Sequence, residues 1–213
     1  MSDRDLYLKL SSIGISVNNG VQQDKFTDIE QTLVLCAENI PDNTRILCLI
    51  LSWIHMHGGK VNIERLVKIA GKNPPVWLGA FAQFAVYCKY HRWKKLVFKP
   101  IEVVSNGSLT SNQSRSQFKG EEVWSKGSGY LIPLGSEPIQ KKWILSPKQL
   151  AEINIHYKNK LIYGANWRAD IATAIEMGAK NPYQVAKISC CSYEPAHRIF
   201  NDFVNAGTIA KVG

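Results

Sequence analysis

Residues 181–207, NPYQVAKISCCSYEPAHRIFNDFVNAG, constrain the fold more than any other stretch. Their caps, proline and apolar spacing define two short helices and a tight turn. Asn181 is an N-cap, and Pro182 takes the first helical position, where a missing N–H costs nothing and the ring pre-sets φ. Val185, Ala186 and Ile188 give the first helix its buried side. Ser192 is expected to cap the second helix, in which Ala196, Ile199, Phe200, Phe203 and Val204 recur at three- and four-residue spacing. Gly207 ends it. Tyr193, Glu194, His197, Arg198, Asn201 and Asn205 fall on the opposite face, several able to bond phosphates or base edges. Two helices so arranged read as a helix-turn-helix whose second helix is free to meet DNA.

Charge supports a polyanionic partner. The 213 residues carry 26 Lys and Arg against 17 Asp and Glu, a formal net charge of +9, which favours nucleic acid. The longest apolar run, 46–54, contains Ser52 and is followed by His55 and His57, well short of the roughly 20 residues a bilayer needs. With a charged start, MSDRDLYLKL, and an odd number of cysteines, five, a reducing cytoplasm is the expected compartment, without a membrane.

In chain order, residues 1–25 carry little pattern and read as an N-terminal arm. Thr27 with Glu30 has the spacing of a capping box opening a helix to Asn39. Asp42 is expected to cap the next helix, apolar almost all round and closed by Gly58-Gly59, and Asn62 to cap a short one ending at Gly71. Pro74-Pro75 opens an aromatic helix running to Trp93, and the alternation in 95–99 suggests a strand. Residues 26–100 therefore read as an N-terminal winged-helix-like domain. Residues 101–145 form a loop and small β-sheet linker, with short strands at 122–124, 129–133 and 142–145. Ser146, Pro147 and Gln149 open a helix whose stripe is Leu150, Ile153 and Tyr157, with Lys158 and Lys160 outside, and Asn166 caps another that stops at Gly178. Residues 146–213 thus form the C-terminal helix-turn-helix domain. The fold class is mainly α with small β elements, two winged-helix-like helix-turn-helix units in tandem.

At 198–209, RIFNDFVNAGTI, the sequence resembles bacterial winged helix-turn-helix transcription regulators. Arg168 to Gly178 and Asn181 to Ser189 match the first two helices of such a unit, so the resemblance covers about 166–212. It implies that Ser192, Tyr193, His197 and Arg198 lie at the major groove and that a wing follows Gly207; residues 208–213 supply one strand at most, so a wingless or shortened unit is expected. Asn181, Tyr183, Gln184 and Asn201 complete the DNA-facing set, joined by Arg115 and Lys119 beside Phe118 in the polar loop. The expected function is sequence-specific recognition of double-stranded DNA by a dimeric repressor. The alternative is a protein-interaction module such as an antitoxin, in which the aromatic helix 76–93 docks a partner toxin.

No catalytic or cofactor motif accompanies these features. GxSxG, HExxH and phosphate-loop signatures are absent, Cys190-Cys191 lacks a CxxC partner, and His55 and His57 lie roughly 200° apart around a helix, a poor geometry for one metal ion. Asp24, Asp28, Glu30, Glu121 and Glu122 do not form a recognisable nuclease set. The expectation is a binding protein, not an enzyme, with no cofactor and no metal.

Overall fold

The computed structural model describes residues 3–17, 24–39, 44–97 and 141–208. The protein is mainly helical: eleven α-helices account for most of the described residues, and the only strand-like pairing among them is one antiparallel bridge, Ile15 to Ile144. The helices are α1 (Asp3–Ser12), α2 (Ile29–Asn39), α3 (Thr44–His57), α4 (Ile63–Ala70), α5 (Val76–Tyr87), α6 (Lys94–Val97), α7 (Pro147–Ile153), α8 (Ile155–Tyr163), α9 (Trp167–Glu176), α10 (Pro182–Ser189) and α11 (Tyr193–Asn205). Expectations resting on Asp42, on the strands at 122–124 and 129–133, and on the segment after Thr208 lie outside the described residues.

Two apolar clusters organise these helices. The larger gathers α1 to α6 with Leu150 and Tyr157, around Trp53, Phe81, Phe84 and Trp93. Each such side chain removed from water contributes about 1.5–3 kcal/mol. The smaller cluster closes α9, α10 and α11 on one another through Ile171, Ala174, Val185, Ala196, Ile199, Phe200 and Phe203. Helix α7 contributes Leu150 and α8 contributes Tyr157 to the first cluster, while Tyr163 at the end of α8 packs against the second.

Local expectations fail where tertiary packing overrides them. The supposed N-terminal arm is helix α1, with Leu6, Leu10 and Ile13 buried at four- and three-residue spacing. The expected strand at 95–99 begins instead as the helical turn α6, which follows a 3₁₀ turn at His91–Trp93 and buries Trp93 and Leu96 on one side. Within 142–145, a 3₁₀ turn at Lys141–Trp143 leaves only Ile144 paired. The helix expected to run from Ser146 to Tyr157 breaks at Asn154. This fully buried residue caps α8 through Tyr157 N–H at 2.7 Å and donates to the Ser12 and Thr27 carbonyls at 3.0 Å each.

The sharpest correction concerns charge. Thr27 and Glu30 form no capping box, since Asp28 caps α2 by accepting Gln31 N–H at 2.9 Å. Glu30 and Lys160 are instead both fully buried. Lys160 Nζ lies 2.8 Å from Glu30 Oε1 and 2.8 Å from Asp170 Oδ1, so α8 joins α2 to α9 across the interior. Glu30 Oε1 also accepts Asn62 N–H at 2.7 Å, and Asn62 Nδ2 donates to Asp170 Oδ2 at 2.6 Å. Removing one partner from a buried ion pair leaves an uncompensated charge, at a cost of about 3–5 kcal/mol. Lys160→Ala should lose that much stability in urea denaturation. Lys158→Ala, at an exposed site of the same helix, should stay within about 0.5 kcal/mol of the parent.

Candidate nucleic-acid interface

Helices α9, α10 and α11 are set by their ends. Asn166 accepts Arg168 N–H at 2.9 Å and opens α9, and Gly178 at φ 98° lets the chain leave it. Asn181 accepts Gln184 N–H at 3.0 Å, while Gln184 Oε1 accepts Lys180 N–H at 2.8 Å, a reciprocal clasp around the start of α10. Cys190 ends α10 in the left-handed region at φ 57°, and Cys191 N–H donates back to the Ala186 carbonyl at 3.1 Å. The chain reverses over Cys190, Cys191 and Ser192. Both cysteines are free thiols, and Cys191 is buried against the Ser189 hydroxyl.

Ser192 has the extended backbone of an N-cap but makes no capping bond through its side chain. Three residues on stands Pro195, which has no N–H to donate. The Ser192 hydroxyl is therefore left at the exposed head of α11. Beyond it Tyr193, His197 and Asn201 stand one turn apart in a row: the Tyr193 and His197 rings are 5.7 Å apart, and Asn201 Nδ2 lies 3.2 Å from His197 Nε2. Arg198 is exposed beside this row and forms no ion pair among the described residues. Tyr183 on α10 is 71% exposed and Tyr193 57%. The fold thus brings Tyr183, Ser192, Tyr193, His197, Arg198 and Asn201 to the surface of one three-helix unit. Asn181 and Gln184 are exposed too, but their carbonyl oxygens are committed to capping. Arg115 and Lys119 lie outside the described residues.

The aromatic helix expected to dock a partner is largely core. Phe81 and Phe84 on α5 are buried in the larger cluster, leaving Tyr87, 50% exposed, as its chief outward aromatic.

Sequence reasoning missed the charged joint under the three-helix unit. Arg65, 3% exposed on α4, donates from Nη1 to Asp28 Oδ1 at 2.7 Å and to Glu30 Oε2 at 3.0 Å, and from Nη2 to Asp28 Oδ2. Its Nε donates 2.8 Å to the Ser189 carbonyl, the last residue of α10, so α4 holds the turn directly. His156 accepts Ile29 N–H at Nδ1, 3.2 Å, which places its proton on Nε2, facing Asp170 Oδ1 at 2.8 Å. The available signal was four-residue spacing of His156 and Lys160 on an otherwise apolar helix side; their partners were invisible because they lie far away in sequence.

Burial works to raise the Asp28 carboxyl, but the Arg65 hydrogen bonds and nearby positive charge outweigh it and lower it to about 2. Burial likewise opposes ionisation of Asp170, yet Lys160 and the His156 hydrogen bond hold its carboxyl far below the usual carboxylate range. Lys160 is raised because Glu30 and Asp170 overcome its own desolvation. Asp28, Glu30 and His156 have ligand atoms within 4.8 Å of one another, a spacing compatible with a metal ion. Their donors are nevertheless committed: a metal would have to displace Arg65 and strip His156 Nδ1 from Ile29 N–H. The cluster is better matched to ion pairing than to metal binding. Beside it lies a cavity of about 240 Å³ between Lys9, Asp24, Met177 and Ile188.

Comparison with protein-family models, with curated proteins and with solved structures gives no match. No helix among the described residues is long and apolar enough to cross a membrane.

The Asp28 and Asp170 carboxyls tie the stability of the fold to pH. Both groups sit lower in the folded chain than in the unfolded one, so their contribution is complete above the ordinary carboxylate pKa of about 4 and is lost as pH falls toward 2. Asp28→Asn should cost roughly 2 kcal/mol at pH 7 and flatten the loss of stability between about pH 4 and 2, measured by urea denaturation across that range.

Proposed function

We propose that the protein is a sequence-specific double-stranded DNA-binding regulator, acting as a dimeric repressor, with α11 as its reading helix. The observation that supports this reading most is the division of α11 into two faces. Ala196, Ile199, Phe200 and Phe203 are buried against α9 and α10, while Tyr193, His197, Arg198 and Asn201 form a polar row that the fold itself does not consume. Long side chains with rigid donor forks can reach base edges in a major groove wide enough for one helix, and Arg is the commonest bidentate partner of guanine. The tandem winged-helix arrangement narrows on this reading to one recognition unit: α9, α10 and α11 carry the reader, and the larger cluster carries a scaffold. A dimer of such units would place its half-sites about 34 Å apart.

The test begins by selecting bound duplexes from a random pool. Against the recovered site, Arg198→Ala should weaken binding by about 1–3 kcal/mol and relax base preference at one position, read by fluorescence anisotropy. Equal affinity and unchanged preference in Arg198→Ala and in His197→Ala would overturn the assignment.

A further inference from the structure

The recognition unit is electrically neutral. Residues 164–208 hold four cations, Arg168, Lys180, Lys187 and Arg198, and four acids, so the formal excess of +9 resides elsewhere in the chain. Arg168 is further engaged by Asp202 at 2.5 Å. A protein that grips duplex DNA does so mainly by neutralising phosphates, and a neutral reader supplies little of that attraction.

Much of the excess lies in two stretches of the sequence. From residue 65 to residue 101 the sequence has eight Lys or Arg and no acid, and from 138 to 151 three Lys and no acid. The fold brings parts of these stretches together. Tyr90 donates from its hydroxyl to the His55 carbonyl at 2.8 Å, and Cys88 Sγ lies 3.6 Å from His55 Nδ1. The α5 terminus is thereby fixed on the end of α3, where burial, and then the charge of Lys141, lower His55. Lys89 marks the corner at φ 71°, an uncommon conformation for a non-glycine residue, held by its N–H to the Val86 carbonyl and by Tyr90 N–H to Ala85. Gly58 is required below it: a Cβ there would come within 2.7 Å of the Tyr90 ring.

Lys89, Arg92, Lys94 and Lys95, all within five residues of Tyr90, and Lys141 and Lys142, of which Lys141 is near the His55 that Tyr90 holds, are all exposed. Only Lys95 has an acidic partner among the described residues, Glu64 at 3.2 Å. Lys142 lies over the half-exposed Trp143 ring at 5.6 Å. Arg92 Nη1 donates to the Ala165 carbonyl at 2.9 Å, immediately before the Asn166 cap of α9. The basic surface therefore meets the recognition unit at its first helix.

We infer that this surface, centred on Lys94, Lys141 and Lys142, is a second nucleic-acid contact that grips duplex phosphates without reading sequence, while α11 supplies the reading. It rests on the reading above only in taking duplex DNA as the partner. Charge complementarity selects the polyanion, and flexible point charges without bidentate forks suit phosphate rather than base edges.

The decisive comparison uses two triple variants of equal charge change in the full chain: Lys94→Glu, Lys141→Glu, Lys142→Glu against Lys25→Glu, Lys72→Glu, Lys158→Glu. All six sites are exposed, and urea midpoints establish that each protein folds. The probe is an end-labelled random-sequence 20-bp duplex titrated from 50 to 200 mM KCl. The first triple should lose at least ~30-fold in affinity at 50 mM and lower the magnitude of the salt slope by about 2–3, while the second changes affinity less than ~3-fold. Equal losses in the two triples, or an unchanged slope in the first, would overturn the patch while leaving sequence reading by Arg198 intact. A parent protein that binds polyglutamate but no duplex at 50 mM would overturn both; unchanged affinity and base preference in Arg198→Ala and His197→Ala, with the slope difference preserved, would overturn only the reader.

Discussion

The arrangement depends on the fully buried ammonium of Lys160 held between Glu30 and Asp170. Taking such a charge out of water costs several kcal/mol, and the protein tolerates it because carboxylate and ammonium alike are satisfied from more than one side. Arg65 and Asn62 complete the set, with His156 donating to Asp170. Apolar residues of equal volume would pack into this space without that cost, but greasy surfaces can slide past one another. A closed set of hydrogen bonds with fixed directions admits one mutual placement of α2, α4, α8 and α9.

That placement passes to the unit of α9, α10 and α11 through apolar and polar contacts alike. The smaller cluster also takes in Tyr163 from the end of α8, whose ring meets Phe203 of α11 edge-on at 5.6 Å, so apolar packing joins the unit to α8. Polar bonds add to it: Asp170 on α9 meets Lys160, Arg65 meets the Ser189 carbonyl, and Asn159 donates to Thr173 at 3.1 Å and Glu176 at 2.8 Å. Arg92 adds a tether at the opposite end of α9 through Ala165. Polar bonds hold both ends of α9.

What was legible in the sequence was local. The caps at Asn62, Ser146, Asn166 and Asn181 all form, because a short polar side chain before a periodic apolar run has one evident use. The two-faced pattern of α11 was legible for the same reason. The ion cluster was not: Thr27 and Glu30 have capping-box spacing, and nothing near them announces that Glu30 will instead meet residues 62, 65 and 160. Lys160 looks like any solvent-facing lysine until its carboxylates arrive from helices distant in the chain. Alternation over 95–99 was too short to separate a strand from a helical turn, and packing of Trp93 and Leu96 decided it. The Leu6, Leu10, Ile13 spacing was a usable helix signal that a charged, irregular N-terminus obscured.

Charge distribution adds a constraint on how reading and gripping can coexist. If the recognition unit carried the whole excess of positive charge, its affinity for arbitrary duplex would rise with its affinity for any target, and discrimination would depend on a small difference between two strong attractions. On the proposed reading, a neutral reader beside a cationic surface separates these quantities. On the proposed reading, the long-range field belongs to the surface bearing Lys94 and Lys142, and short-range matching to Tyr193, His197, Arg198 and Asn201. Such a separation works only if the two surfaces keep a fixed relation, since a mobile joint would let phosphate contacts form without placing α11 in a groove. The buried Lys160 cluster and the Arg92 tether are the contacts that would hold that relation under the proposed reading, at the desolvation cost of charges kept in the interior.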